Sequence, residues 1–280
     1  MGLLSVQDVV VRFGGVVALD GPTFEVEAGE ICGLIGPNGA GKTTLFNCIS
    51  RLYEPSEGSI AFDGEDLLVL APHEIAPLGI ARTFQNLGLA HSLSVRENVM
   101  LGAHHTCRGS FWAAGLGLNR RAERELREST DSILARLDLT AVADRPAFGL
   151  PYATLKRVEL ARALCERPRL LLLDEPAGGL SHREVEELAD TILALRDEFE
   201  LTVLLVEHAM GMVMRISDHV VVLDFGRKIA DGPPAEVQED EGVIEAYLGA
   251  PSAGEARRGD ERSEASAGAA RRGDEGSEAD

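Results

Sequence analysis

Gly36-Pro37-Asn38-Gly39-Ala40-Gly41-Lys42-Thr43 carries the densest chemical signal in this chain. It fits the pattern G-x-x-x-x-G-K-[ST]. A short apolar run, residues 31–35, precedes it, and a helical pattern, residues 43–50, follows, which is the strand–helix setting such a phosphate loop needs. Each residue type has a physical task. The glycines let the backbone curl until successive N–H groups point inward at phosphate oxygens. The helix adds the positive end of its dipole, so the backbone from Gly36 to Thr44 is expected to ring the phosphates of a nucleotide. Lys42 supplies a mobile cation, and the Thr43 hydroxyl is expected to ligate Mg²⁺. A Gly-rich turn of no function is the alternative, and the flanking strand and helix speak against it.

A site of this kind needs an acid at the end of a buried strand. Leu170-Leu171-Leu172-Leu173-Asp174-Glu175 provides two. Asp174 is placed to hold the magnesium, and Glu175, one residue on, to polarise a water for in-line attack on a γ-phosphate.

Apolar runs at 31–35, 170–173, 203–206 and 220–223 read as strands buried on both faces, the texture of a parallel sheet. A helix over 182–199 lies among them, opened by Ser181 and Glu184 in a capping-box pattern. This alternation predicts an α/β core. Residues 6–12 and 22–26 predict strands of a hairpin-rich N-terminal layer. Residues 87–163 differ, with helical patterns at 95–101, 120–137 and 155–164 and a loop or short turn at 108–119, and are expected to form a helical lobe inserted into the sheet domain. From Pro251 onward, aliphatic residues larger than Ala vanish, and Arg-Arg-Gly-Asp-Glu occurs at both 257–261 and 271–275. Such a segment buries too little apolar area to offset its ordering entropy, so residues 250–280 are expected to be a disordered low-complexity tail after a folded unit at 1–249. Its Arg-Gly-Asp triplets fit duplication better than adhesion.

The 280 residues carry a net charge of −19, which argues against a free nucleic-acid binder. Lysine occurs only at Lys42, Lys156 and Lys228, so its presence in the phosphate loop is not incidental abundance. The cysteines, Cys32, Cys48, Cys107 and Cys165, form no C-x-x-C pair and read as free thiols. His104, His105 and Cys107 lack a second ligand pair at zinc spacing. No apolar stretch approaches the about 20 residues that span a bilayer, and no signal peptide is expected, so any membrane role requires a partner.

Taken together, these segments resemble the ATP-binding subunits of ABC transporters from about residue 3 to residue 249. The resemblance implies an α/β P-loop ATPase with a mixed sheet, an N-terminal antiparallel layer and an inserted helical lobe. It implies that Phe13 stacks on adenine. Thr83-Phe84-Gln85-Asn86 looks like the Q-loop, so Gln85 would touch magnesium and the attacking water. Asp174-Glu175-Pro176 resembles Walker B, and Val206-Glu207-His208 the switch segment, so His208 would contact the γ-phosphate. Taken singly, Phe13, Gln85 and His208 have blander readings as a core aromatic, a surface amide and a capped histidine; their joint order gives the resemblance its weight. The implied ligands are ATP and Mg²⁺. The implied partners are membrane permease subunits, a second ABC ATPase of the same or a different kind, and, indirectly, a substrate-binding protein. The implied location is the cytoplasmic face of the membrane.

One motif departs from the family form. Where relatives carry L-S-G-G-Q, this chain has Leu150-Pro151-Tyr152-Ala153-Thr154. Pro151 has neither hydroxyl nor N–H to offer, and Ala153 resists positive φ. The N–H groups of Tyr152 and Ala153 and the Thr154 hydroxyl remain for a partner's ATP. A working variant and a weakened site in an asymmetric dimer both fit, and a non-transport or regulatory ATPase stays open. Ser181, where many relatives have Asp, is expected to be a helix cap. Pro-Tyr in the signature, Glu-Pro-Ala-Gly-Gly-Leu at 175–180, Val-Glu-His-Ala-Met at 206–210, the lobe insert and the ending at 243–249 are similar to the branch that imports branched-chain amino acids and related amides.

Overall fold

The computed structural model describes residues 2–83, 87–103 and 120–248. Strands β1 (Leu4–Phe13), β2 (Val16–Asp20), β3 (Phe24–Val26), β5 (Glu57–Phe62) and β6 (Glu65–Asp66) form an antiparallel sheet. Its order is β2-β1-β5-β6, with β3 also on β1. A six-stranded sheet holds β4 (Ile31–Ile35), β7 (Ile80–Arg82), β8 (Leu170–Asp174), β9 (Thr202–Val206), β10 (His219–Asp224) and β11 (Arg227–Gly232), ordered β11-β10-β4-β9-β8-β7. Its neighbours run parallel except β10 and β11, so the sheet is mixed, as expected.

The continuous apolar runs follow from double burial. In β8, Leu171 and Leu173 join one core cluster while Leu170 and Leu172 join the other. The same alternation splits Val203 and Leu205 from Leu204 and Val206 in β9. With both faces covered, apolar residues fill these strands apart from Thr202 and Asp174 at their ends. One cluster fills the space between the two sheets, with helix α1 (Lys42–Ile49) contributing Leu45, Phe46, Cys48 and Ile49. The other lies beneath the lobe helices, α6 (His182–Phe199) and α7 (Met210–Ile216).

Between β7 and β8 run α3 (Val95–Gly102), α4 (Arg120–Arg136) and α5 (Tyr152–Leu164), the expected lobe. Asn98, fully buried, donates to the carbonyls of Ala90, Leu93 and Ser94 and accepts from Ala90 N–H at 2.8 Å, which staples the segment entering α3. Helix α5 begins three residues before the pattern at 155–164, because Pro151, with φ −56°, serves as its N-cap. Ser181 accepts from Glu184 N–H while Glu184 Oε2 accepts from Ser181 N–H at 2.7 Å, so the expected capping box exists. Cys32, Cys48 and Cys165 are free and buried. Burial pushes the Cys48 thiol up to about 11. Helix α2 (Pro72–Ile75) precedes β7, and the described residues end with α8 (Pro234–Glu239) and α9 (Glu241–Leu248). Gln85, the cluster His104, His105 and Cys107, the loop at 108–119 and the tail at 250–280 lie outside the described residues. Among the described residues no helix is long and apolar enough to cross a membrane.

Candidate functional site

Three adjacent parallel strands deliver the expected residues to one edge. β4 runs into Gly36, β8 ends at Asp174, and β9, lying between them, runs into Glu207 and His208. The carboxyl ends of such strands are where open α/β sheets place ligands.

The phosphate loop has the curl its glycines predict. Gly36 adopts φ +148°, and a Cβ there would lie 2.0 Å from Leu223 O, so no other residue fits. Gly41, at φ +102°, is the N-cap of α1, and a Cβ there would meet Ala18 O at 2.6 Å. Leu45 N–H is the helix's first to close onto Gly41 O, at 2.9 Å. The N–H groups of Lys42, Thr43 and Thr44 therefore belong to the open first turn. Lys42, 6% exposed, donates to the Gly36 and Pro37 carbonyls at 2.6 and 2.9 Å. Burial lowers its pKa, and the nearby carboxylates of Glu175 and Asp174 oppose that shift, which places both acids in the field of the loop lysine. Thr43 is exposed.

Glu175 sits at φ +48°, a left-handed conformation costing a non-glycine residue roughly 1–3 kcal/mol. Its N–H reaches Val206 O at 2.9 Å. Its Oε1 lies 3.0 Å from His208 Nε2. The structure thus brings together Lys42, Asp174, Glu175 and His208, residues separated by up to 166 positions in the chain. Phe13 is no core aromatic: it is half exposed at the tip of the β1–β2 hairpin, edge-on to Tyr53 with ring centroids 5.2 Å apart.

Tyr152, Ala153 and Thr154 form the first turn of α5, so their N–H groups point outward from a helix N-terminus. They are not gathered at the chain's own phosphate loop. Tyr152 packs instead on Gly179, where a Cβ would lie 3.0 Å from the tyrosine ring, on the segment leading to Ser181.

Sequence reasoning missed two residues. Arg82, at the end of β7, donates to Asp174 Oδ2 at 2.8 Å, to Asn47 Oδ1 at 2.8 Å and to Ser50 Oγ at 3.1 Å, tying β8 to α1. A charged residue directly after an apolar pair in a short strand is the only trace it leaves. Glu207, quoted above only as part of the switch segment, is 3% exposed and accepts three backbone N–H groups. At the other flank, α9 approaches the phosphate loop. The two share a cleft of about 510 Å³ lined by Pro37, Asn38, Gly39, Ala40, Phe225 and Glu245. The buried Tyr247 hydroxyl faces the Gly36 backbone without a hydrogen bond of normal geometry, and burial pushes it up to about 12.

An α/β domain with a curled phosphate loop facing paired acids and a histidine defines a nucleotide-hydrolysing ATPase. A family model described as ABC transporter matches residues 19–178, and another, described as Branched-chain amino acid ATP-binding cassette transporter, matches residues 227–253. The chain belongs to the ABC transporter family of ATP-binding cassette ATPases. The high-affinity branched-chain amino acid transport ATP-binding protein BraF of Pseudomonas aeruginosa is 44% identical over 250 residues, covering 88% of this chain and 98% of BraF. The corresponding LivG of Escherichia coli K12 is 39% identical over 249 residues, covering 88% and 98%. Among solved structures, the ADP conformation of an ATP-binding cassette of an ABC transporter aligns with a TM-score of 0.78 at 32% identity, over 89% of this chain and all of that one.

Proposed function

We propose that this chain is the ATP-hydrolysing subunit of an importer for branched-chain amino acids, working as one of a pair beneath membrane permease subunits. The observation that carries the catalytic reading is the contact of Glu175 with His208 at 3.0 Å, opposite a buried Lys42 in the field of both acids. In this reading, Phe13 stacks on the adenine. The backbone through Gly36, Pro37, Asn38, Gly39, Ala40, Gly41, Lys42, Thr43 and Thr44 holds the phosphates, with Lys42 on the outer ones. Glu175 polarises the attacking water, and His208 meets the γ-phosphate while orienting the Glu175 carboxylate.

The donor set suits Mg²⁺. Thr43 offers an exposed hydroxyl and Asp174 a hard carboxylate oxygen, the oxygen ligands this ion takes. Mg²⁺, held by Thr43, Asp174 and Gln85, would neutralise charge on the phosphate oxygens. The first-turn N–H groups of Tyr152 and Ala153 and the Thr154 hydroxyl serve a partner's ATP, which favours a working variant of the signature over a silent one. A second ATPase subunit, identical or not, completes each site. A substrate-binding protein feeds the permease, and the permease holds this chain at the cytoplasmic face.

The branched-chain assignment rests on BraF and LivG, whose names state that substrate, and on the family match at 227–253. The test is co-expression with branched-chain amino acid permease and binding-protein subunits, followed by reconstitution into vesicles. Labelled leucine, isoleucine or valine should accumulate only with ATP and this chain. Co-purification with RNA or DNA in place of permease subunits, or uptake indifferent to ATP, would refute it.

A further inference from the structure

The ladder between β8 and β9 ends where the chemistry begins. Asp174 pairs with Val206, Glu175 N–H closes the last backbone bond on Val206 O, and both chains then leave the sheet as loops. One loop carries Glu175 and continues through Ala177. The other carries His208 and Ala209. A single buried side chain spans the gap: Glu207 Oε1 accepts from Ala177 N–H at 2.5 Å, while Oε2 accepts from His208 N–H at 2.9 Å and Ala209 N–H at 3.2 Å. We propose that Glu207 is a positioning residue that clasps the Glu175 loop to the His208 loop and sets the register between water-activating acid and switch histidine.

This inference rests on the hydrolytic role proposed above and adds to it a residue that acts through the loops of Glu175 and His208. A carboxylate fits the task because it has two acceptor oxygens and nothing to donate. Gln presents one acceptor, and its amide would oppose an N–H. Thr or Ser is too short to reach both loops. The clasp also explains how Glu175 holds φ +48°. Val206 O fixes the residue's own N–H, Gly178 N–H closes onto Glu175 O at 3.1 Å, and Glu207 fixes Ala177 between them. Without the clasp the loop is free to relax into an ordinary conformation, carrying the Glu175 carboxylate away from His208. Nucleotide binding, which rests chiefly on Phe13 and the separate phosphate loop after β4, should change little.

The test compares wild type, Glu207→Gln and Glu207→Ala in the full chain with its permease. Glu207→Gln keeps the volume, so it reports even where Glu207→Ala fails to fold. Steady-state hydrolysis should show kcat at least tenfold lower in Glu207→Gln and lower still in Glu207→Ala. ATP affinity, titrated separately, should stay within about twofold. Hydrogen exchange on the nucleotide-free chain should show the amides of Ala177, His208 and Ala209 exchanging at least tenfold faster in Glu207→Gln. Wild-type kcat in folded Glu207→Gln, a loss of ATP affinity in step with kcat, or unchanged exchange at those amides would each overturn the clasp. A wild-type chain that binds ATP without hydrolysing it would count against the proposed function instead, and the exchange result would still decide the clasp.

Discussion

Asp174 and Arg82 form a pair 4% and 9% exposed, and neither charge could be left there alone. Removing one partner of a buried pair strands the other, which typically costs about 3–5 kcal/mol. Arg82→Met should therefore lower unfolding free energy by an amount of that order in urea titrations; a loss under about 1 kcal/mol would mean that Asp174 finds another partner. Asp174 was legible in the sequence because a leucine run pointed at it. Arg82 was not, because its importance depends on β7 lying beside β8, a neighbour relation that crosses the whole helical lobe. Glu207 was hidden for a similar reason. An acid after an apolar strand reads as a solvated strand end, and its three backbone partners emerge only when β8 and β9 align.

At the scale of elements, strand–loop–helix at the phosphate site and the 182–199 helix were legible because local chemistry alone determines them. Glycines set the curl at Gly36 and Gly41, and Ser181 with Glu184 sets a helix start. The start of α5 was not legible, since Pro151-Tyr152-Ala153 occupies the place where relatives have a glycine loop. β2, β5, β6, β7 and β11 escaped as well: β6 and β7 have only two and three residues, and exposed positions break the apolar pattern of β2, β5 and β11. The capping role of Ser181 can be separated from any role in chemistry. Ser181→Ala should lower Tm by about 2–4 °C, while Ser181→Asp, also a good cap, should leave it within about 1 °C. If Ser181→Asp melts as early as Ser181→Ala, the hydroxyl is doing something other than capping.

Across the whole molecule, two core clusters on opposite faces of one mixed sheet fix where β4, β8 and β9 end, and hence where the site's side chains meet. The C-terminal helices belong to this unit, since Val237 and Val243 join the core and Tyr247 lies under Gly36. The segment beyond them has no comparable apolar residue. A chain ending at residue 249 should melt within about 1 °C of the full chain and hydrolyse ATP equally, whereas one ending at residue 240 should lose stability and bind ATP more weakly; calorimetry and nucleotide titration check both. In the proposed function, this edge of the sheet hydrolyses ATP through Glu175. Its most direct test is Glu175→Gln in the assembled complex, with ATP binding and steady-state phosphate release measured side by side. Binding should persist while kcat falls by on the order of 10²–10⁴, the range of general base catalysis. Phosphate release at the wild-type rate would contradict the assignment.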